Sequence, residues 1–415
     1  MTTVDPVEET LGEPAERISA RWVLAFSLAT VGTFAGWYGP LQILLAKQAD
    51  LFAPGGKEGV LALAAGLGAL FSMLANPVWG ALSDRTASRY GRRIPWIATG
   101  MAGGAGGLVL MAVAQHMAIV IIGWCLVQTA LNAPFAALSA AIPDQVPVEQ
   151  RGAAGGYFGV AQTVGIMAGT GLAVAGGGIV GGYLACAAFV LLAPLPYLLL
   201  RRDQVLPVAL RPAWSWRAFA AGFWLSPARH PDFGWAWLTR FLINLSNAIT
   251  LLYLLFYLKD AVRLADPETG VLILTVINAV TVLISVVIAG LWSDRLGNRR
   301  AFVAWSGAII AVAAVLLACW HTWTGAVVAA LILGIGFGAY TSVDFALITQ
   351  VLPAALDRGK DLGIVNIANS LPQVLAPTVA APIVGHLGGY PALYSAAAVV
   401  SIAGGVLVYR ISSVR

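Results

Sequence analysis

The chain has 415 residues, of which 59% are hydrophobic and only 10% charged, with a formal net charge of +5. Soluble domains are about one quarter charged, and surface-to-volume scaling leaves a soluble fold no way to hide so much apolar surface. The composition excludes a soluble globular protein, and the basic residues, scattered in short loops between apolar runs, exclude a nucleic-acid binder.

A spanning helix needs roughly 20 mostly apolar residues. Residues 1–20 read as a cytoplasmic N-terminal tail; the opening MTTVDPVEETLGEPAER is acidic and lacks the basic start of a cleavable signal peptide. Predicted spans follow at 21–45, 59–82, 94–115, 117–142, 152–175 and 177–200. The first carries Trp37 and Tyr38, the fourth Gln128, Asn132 and Pro134, and the fifth Gln162. A break at 201–232 contains Trp214, Trp216, Phe219, Phe223 and Trp224 among arginines. It reads as a cytoplasmic linker with an amphipathic helix lying on the membrane surface; a plain linker is the alternative. Six more spans are predicted at 233–258, 269–292, 300–320, 323–349, 360–385 and 389–410, with 411–415 as a C-terminal tail. Continuous apolar runs of this length are helices, because a spanning barrel would read as alternating strands of about ten residues. The Gly runs 100–107 and 334–338 permit close packing and bending, and Pro372, like Pro134, removes a backbone hydrogen bond inside a span.

Twenty of the 24 Lys and Arg fall on one side, in one set of loops or, for Arg240, about two turns into a span from it; the other set of loops holds only Lys47, Lys57, Lys259 and Arg263. Positive charge stays inside, so the first set and both termini are expected in the cytoplasm of a cell whose inner (plasma) membrane holds the chain. Cys125, Cys186 and Cys319 lie inside apolar runs and form no disulfide or metal spacing. No phosphate loop, dinucleotide fingerprint or zinc motif is present. His116, His321 and His386 fall at outer helix ends and read as interfacial. No nucleophile–base pair stands out, so no enzyme, cofactor or metal is expected.

The halves repeat. GALSDRTASRYGRR (80–93) after the second span matches GLWSDRLGNRR (290–300) after the eighth, and PDQVPVEQRG (143–152) matches QVLPAALDRG (350–359). A repeat of this length means two six-helix bundles from one ancestor, with a solute site between them near the bilayer midplane. The expected fold is an all-α membrane protein of twelve transmembrane helices in two pseudo-symmetric bundles.

The 80–93 loop, with Gly80, Asp84, Arg85, Arg89, Gly91, Arg92 and Arg93, resembles the loop signature of the major facilitator superfamily. Gly290, Asp294, Arg295, Arg299 and Arg300 carry a degenerate copy. Ser83 through Pro95 resembles the branch of sucrose–proton symporters and glycoside carriers. The resemblance implies secondary active transport by alternating access, with a small polyhydroxylated solute and a proton as partners and a monomer in the lipid bilayer. Asp84 at a helix end can pair with a basic side chain or a helix N-terminus. Asp84, Gly80, Arg85, Arg89, Gly91, Arg92, Arg93, Asp294 and Arg295 are thus expected to gate the cytoplasmic side. An acid does nothing for topology, so topology alone does not account for Asp84.

Ionisable residues inside a span are costly and face a cavity. Asp344, in the tenth span, and Arg240, in the seventh, sit at similar depth and can meet. Desolvation favours the neutral form of a carboxyl and a nearby guanidinium the charged form. A carboxyl caught between the two can trade a proton, so Asp344 and Arg240 are the candidates for proton coupling; a static ion pair is the alternative. Polar residues also share helix stripes: Gln128 with Asn132; Arg240 with Asn244 and Asn247; Tyr340 with Asp344; and Asn366 with Asn369 and Gln373. Together with Gln162, Trp37, Tyr38 and Tyr253 they are the candidate cavity lining, since amides bond hydroxyls and rings pack on C–H faces. For any single amide the competing reading is an interhelical hydrogen bond, worth about 0.6 kcal/mol. A proton-driven exporter of drugs or metabolites is the alternative function; it needs an apolar lining with few amides.

Overall fold

The computed structural model describes residues 14, 16–200, 203, 205–207, 209, 231–296, 298–350 and 358–412; at 148–149, 152, 291, 294–296, 345–346, 348–350 and 358–366 it describes the backbone alone. All twelve predicted spans are helical, and no strand occurs among the described residues. The tail before residue 14 and the predicted amphipathic helix of the 201–232 linker lie outside the described residues.

The first span is α1 (Ala20–Gly39), opened by the Ser19 hydroxyl, which accepts from the Trp22 amide at 3.2 Å. A π turn, Pro40–Leu44, and α2 (Leu45–Phe52) continue it. Pro40 has no N–H to give the α ladder, and the widened turn there is the local consequence. Next come α3 (Lys57–Asp84), α4 (Ile94–Ala112), α5 (Met117–Gln145) and α6 (Val148–Ala175). The sixth span is α7 (Ile179–Leu192) with α8 (Leu195–Leu200). The seventh is α9 (Pro231–Leu252) with α10 (Leu254–Asp260), bent by 43° at Tyr253. Then follow α11 (Pro267–Leu296), α12 (Arg299–Cys319), α13 (Trp323–Gln350), α14 (Arg358–His386) and α15 (Gly389–Leu407). Asp266 and Asn298 cap α11 and α12, accepting from the amides of Thr269 and Ala301 at 3.1 and 3.2 Å. The hydrogen bonds from Thr269 hold the Asp266 carboxyl below its ordinary range.

Ten of these helices are long and apolar enough to cross a membrane, and the bent pair α9–α10 makes an eleventh. The side chains are arranged for lipid. Large apolar residues such as Ile284, Val287, Val312 and Val399 are exposed, whereas Thr30, Thr33, Ser246 and Ser401 are buried. These four hydroxyls are satisfied: Thr30 donates to the Phe26 carbonyl, Thr33 to that of Ala29, Ser246 to that of Ala397 and Ser401 to that of Gly307. The chain is a multi-pass membrane protein.

The described residues form two compact units. Unit 1 gathers those within Met1–Leu44 and Phe71–Trp214, unit 2 those within Leu45–Leu70 and Ser215–Arg415. In unit 1, α1 packs on α6 and α7, and α4 on α5 and α7. In unit 2, α9 packs on α14 and α15, and α12 on α13 and α15. Counted as spans, one meets five and six while three meets four and six; seven meets eleven and twelve while nine meets ten and twelve. The packing thus repeats with the same period as the loops. Unit 2 also takes in α2 and the first half of α3.

Candidate functional site

Unit 2 holds a buried polar cluster built from three helices. Arg240 lies nine residues into α9, roughly 13 Å along its axis at 1.5 Å per residue. Its guanidinium pairs through Nη1 with Asp344 Oδ2 of α13, and its Nε donates to Asn369 Oδ1 of α14 at 2.7 Å. Tyr340, one turn before Asp344, donates its hydroxyl to Asp344 Oδ1 at 2.7 Å. Asn244, one turn after Arg240, donates to Asn369 Oδ1 at 3.3 Å and to the Arg240 carbonyl at 2.9 Å. Asp344 is 7% exposed and Tyr340 1%. Burial of this charge is tolerated because every oxygen of the carboxylate has a donor.

The arrangement has a chemical consequence. An ionised carboxylate can accept from Tyr340 and Arg240 together, whereas a protonated carboxyl becomes a donor on one oxygen. A proton on Asp344 Oδ1 can turn the bond to Tyr340 round, since that hydroxyl accepts as well as donates, while the loss of charge weakens the hold on Arg240 at Oδ2. Asn244 and Asn369 lie beside the Arg240 guanidinium, and Arg240 Nε keeps its bond to Asn369 whatever the charge on Asp344.

Five of the predicted residues thus come together: Arg240, Asn244, Tyr340, Asp344 and Asn369. Others do not. Asn247 is half-buried on α9, and Gln373 is exposed on α14, a turn beyond Asn369. The side chain of Asn366 lies outside the described residues. Tyr253 is fully buried at the bend between α9 and α10, its hydroxyl on the Glu58 carbonyl at 3.0 Å.

Unit 1 has an amide knot and an aromatic cluster. Asn132 of α5 donates to Ser72 Oγ at 2.6 Å and accepts from Asn76 Nδ2 at 3.1 Å, tying α5 to α3. It also bonds the Gln128 carbonyl one turn back, and Gln128 is buried. Sequence reasoning missed Ser72 and Asn76, although they too lie four apart. Trp37 is buried with its ring 5.5 Å from Phe34 and 5.7 Å from Phe135; Tyr38 stacks on Phe34 at 6.3 Å. Gln162, on α6, is half-buried.

The predicted gate residues form a network in which Asp144, not Asp84, is the hub. Arg92 grips Asp144 with two nitrogens, at 3.1 and 2.5 Å, and Arg93 Nε reaches the same carboxylate at 2.8 Å. Arg93 Nη1 also meets Asp84 Oδ1 at 2.6 Å and Ser83 Oγ at 2.5 Å. Arg92 and Arg93 are buried, while the Asp84 side chain is 57% exposed. Burial works against the Arg93 charge, but Asp144 and Asp84 outweigh it and the guanidinium is held above its ordinary range.

Gly91 has φ +97°, a backbone conformation that suits glycine. Just beyond this turn, Asp203 accepts from the backbone N–H of Arg93 at 2.6 Å and of Ile94 at 2.8 Å, capping α4 where the helix dipole favours an anion. Of the two contacts open to Asp84 it makes the one with a basic side chain, Arg93, and the helix terminus is held by Asp203. Arg89 instead lies over the Tyr90 ring at 4.8 Å and bonds its hydroxyl at 2.6 Å. Gly80 is half-buried within α3, and Arg85 is half-buried just beyond its end. The side chains of Asp294 and Arg295 lie outside the described residues.

The Major Facilitator Superfamily family model matches residues 24–271 and 264–414. Among solved structures, the chain is similar to the peptide transporter POT in complex with sulfate, at 13% identity and a TM-score of 0.78, covering 97% of each chain. It is similar to the nucleoside transporter NupG at 14% identity and a TM-score of 0.73, covering 94% of this chain and 99% of that one. The human organic anion transporter MFSD10 (TETRAN) follows at 16% identity and a TM-score of 0.66, covering the same shares. None of the curated proteins matches the chain. At these identities the structures speak for the fold, and the matched segments span nearly the whole chain: the protein belongs to the Major Facilitator Superfamily and is a membrane transporter of that fold, not an enzyme.

Proposed function

We propose that this transporter is a proton-coupled symporter that takes up a polyhydroxylated solute, a sugar or glycoside, by alternating access. The observation that carries the reading is the buried Asp344 carboxylate, shared between Arg240 and Tyr340 and flanked by the amides of Asn244 and Asn369. A proton on Asp344 frees Arg240, and Arg240 with the two amides then holds solute oxygens. Release of the proton on the other side restores the ion pair and expels the solute, which couples the two flows. The amide knot at Asn132 supplies a second polar patch in unit 1. The similar solved structures are of nucleoside, peptide and organic anion transporters, so polar cargo suits the architecture. The aromatic cluster of Phe34, Trp37, Tyr38 and Phe135 favours a second reading, a proton-driven exporter of apolar drugs or metabolites.

Proteoliposomes with an imposed pH gradient, offered a panel of glycosides, nucleosides and apolar cations, separate the two. Accumulation of glycosides only when the outside is acidic is the expected result. Gradient-driven extrusion of the apolar cations, with no glycoside uptake, would replace the first reading by the second.

The proposed orientation places both termini in the cytoplasm and the loop near Lys57 outside. On a background lacking Cys125, Cys186 and Cys319, Gly55→Cys should react with an impermeant thiol reagent added to intact cells, and Ala87→Cys only after permeabilisation. Both side chains fall at exposed positions. The reverse pattern would invert the topology.

A further inference from the structure

The basic residues outside the 20-residue set set topology only by their scarcity, yet three of those four have acidic partners. Lys57 Nζ is 2.7 Å from Asp260 Oδ2 and 3.7 Å from Asp50 Oδ1. Lys259 pairs with Asp50, and Lys47 with Glu268 at 2.6 Å. Three cations and three anions thus alternate between the α2–α3 segment and the α10–α11 segment, all within unit 2. Tyr390, at the start of α15, donates its hydroxyl to the same Asp260 oxygen at 3.0 Å.

Beneath the charges α3 touches α10, the bend before it and α14 at separate points. Lys57 Nζ lies 4.8 Å over the Phe256 ring, and the Tyr253 hydroxyl bonds the Glu58 carbonyl. Two turns further along α3, a Cβ built on Gly66 would lie 3.6 Å from the Val374 carbonyl of α14. The pairs differ in exposure. The Lys57 side chain is 12% exposed and that of Lys259 47%. The rim pair is open to screening by salt, while the inner one is shielded from it.

We infer that these residues form a salt-sensitive clasp which seals the Lys57 side of the transporter, with Lys57 between Asp50 and Asp260 as its pivot, and that external ionic strength sets how often it opens. The inference rests on the alternating-access reading, because a clasp that never opened would be mere structure. When it opens, the first half of α3 leaves α10 and α14. Ala62, four residues before Gly66 and so on its face, is 6% exposed here and becomes accessible in the open state.

The test is the labelling rate of Ala62→Cys by an impermeant maleimide, in sealed vesicles of known orientation and on the cysteine-free background. Lys57→Glu sets three like charges together, and such juxtaposition across an interface is costly enough to raise the rate by about tenfold or more. Asp260→Lys should do the same. The exchange Lys57→Asp with Asp260→Lys should return the rate to the parental value. Raising salt from about 50 to about 500 mM shortens the screening length and should accelerate the parent through the exposed Lys259–Asp50 pair, and Lys259→Gln should remove most of that response. Should Lys57→Glu fail to insert, the neutral Lys57→Gln gives the same reading with a smaller increase. A parental rate in the single variants, or an exchange variant that labels as fast as they do, overturns the clasp. Labelling from the opposite face only would refute the proposed topology while leaving the clasp standing, because its readout is the ratio of rates.

Discussion

Asp344→Asn is expected to abolish solute accumulation driven by a pH gradient while leaving exchange of solute across the same vesicles intact. Asparagine keeps the size of the carboxyl and can still accept from Tyr340, but it carries no titratable proton. It mimics the protonated state, in which the proposed mechanism releases Arg240 for solute. A carrier locked in that state can move with solute bound yet draws nothing from the gradient. Comparison of gradient-driven uptake with counterflow decides the matter; parental uptake would leave Asp344 as a structural ion-pair partner. Arg240→Ala is the harsher change. It strands a buried carboxylate, and breaking a buried pair in this way costs about 3–5 kcal/mol. Thermal stability in detergent should fall sharply, and adding Asp344→Asn should recover most of it, since the two groups are bonded and their effects do not add. A double variant no more stable than Arg240→Ala would show that Arg240 acts through packing instead.

The second large effect separates two carboxylates in one loop network. Asp144→Ala should reduce folded yield and thermal stability by roughly 3 kcal/mol, the scale for uncovering buried charge. It leaves Arg92 without the Asp144 carboxylate and Arg93 with the Asp84 carboxylate and the Ser83 hydroxyl, both in buried positions. Asp84→Asn should do little to yield, because its side chain is more than half exposed and Arg93 keeps Asp144. Its expected effect is on transport, through the balance between conformations. Size-exclusion profiles and melting curves for both variants, set beside uptake rates, check the split. Equal transport by Asp84→Asn and the parent would reduce the loop to a topology signal and a structural hub.

Much of this protein was readable in the chain because lipid is an unforgiving solvent. A backbone that cannot bond to its surroundings must be helical, so twelve apolar runs predicted the helices from 21–45 to 389–410. The repeat of the 80–93 and 290–300 loops foretold the repeated packing of spans one, three, five and six in spans seven, nine, eleven and twelve. Stripes such as Arg240 with Asn244, or Tyr340 with Asp344, were also legible, because three- and four-residue spacing is a property of a single helix. That spacing cannot say which stripes meet. The bonds that join Arg240 to Asp344 and to Asn369 cross 104 and 129 residues. They depend on how the helices are rotated about their axes, and the sum of many close side-chain packings sets that rotation. The same reason hid Asp144 and Asp203. Asp144 ends α5 and Asp203 follows α8, and each is unremarkable until the fold brings Arg92 and Arg93 to one and the start of α4 to the other. It also hid the ion pair of Lys57 and Asp260, 203 residues apart in the chain and brought together at the start of α3 and the end of α10 only by the fold.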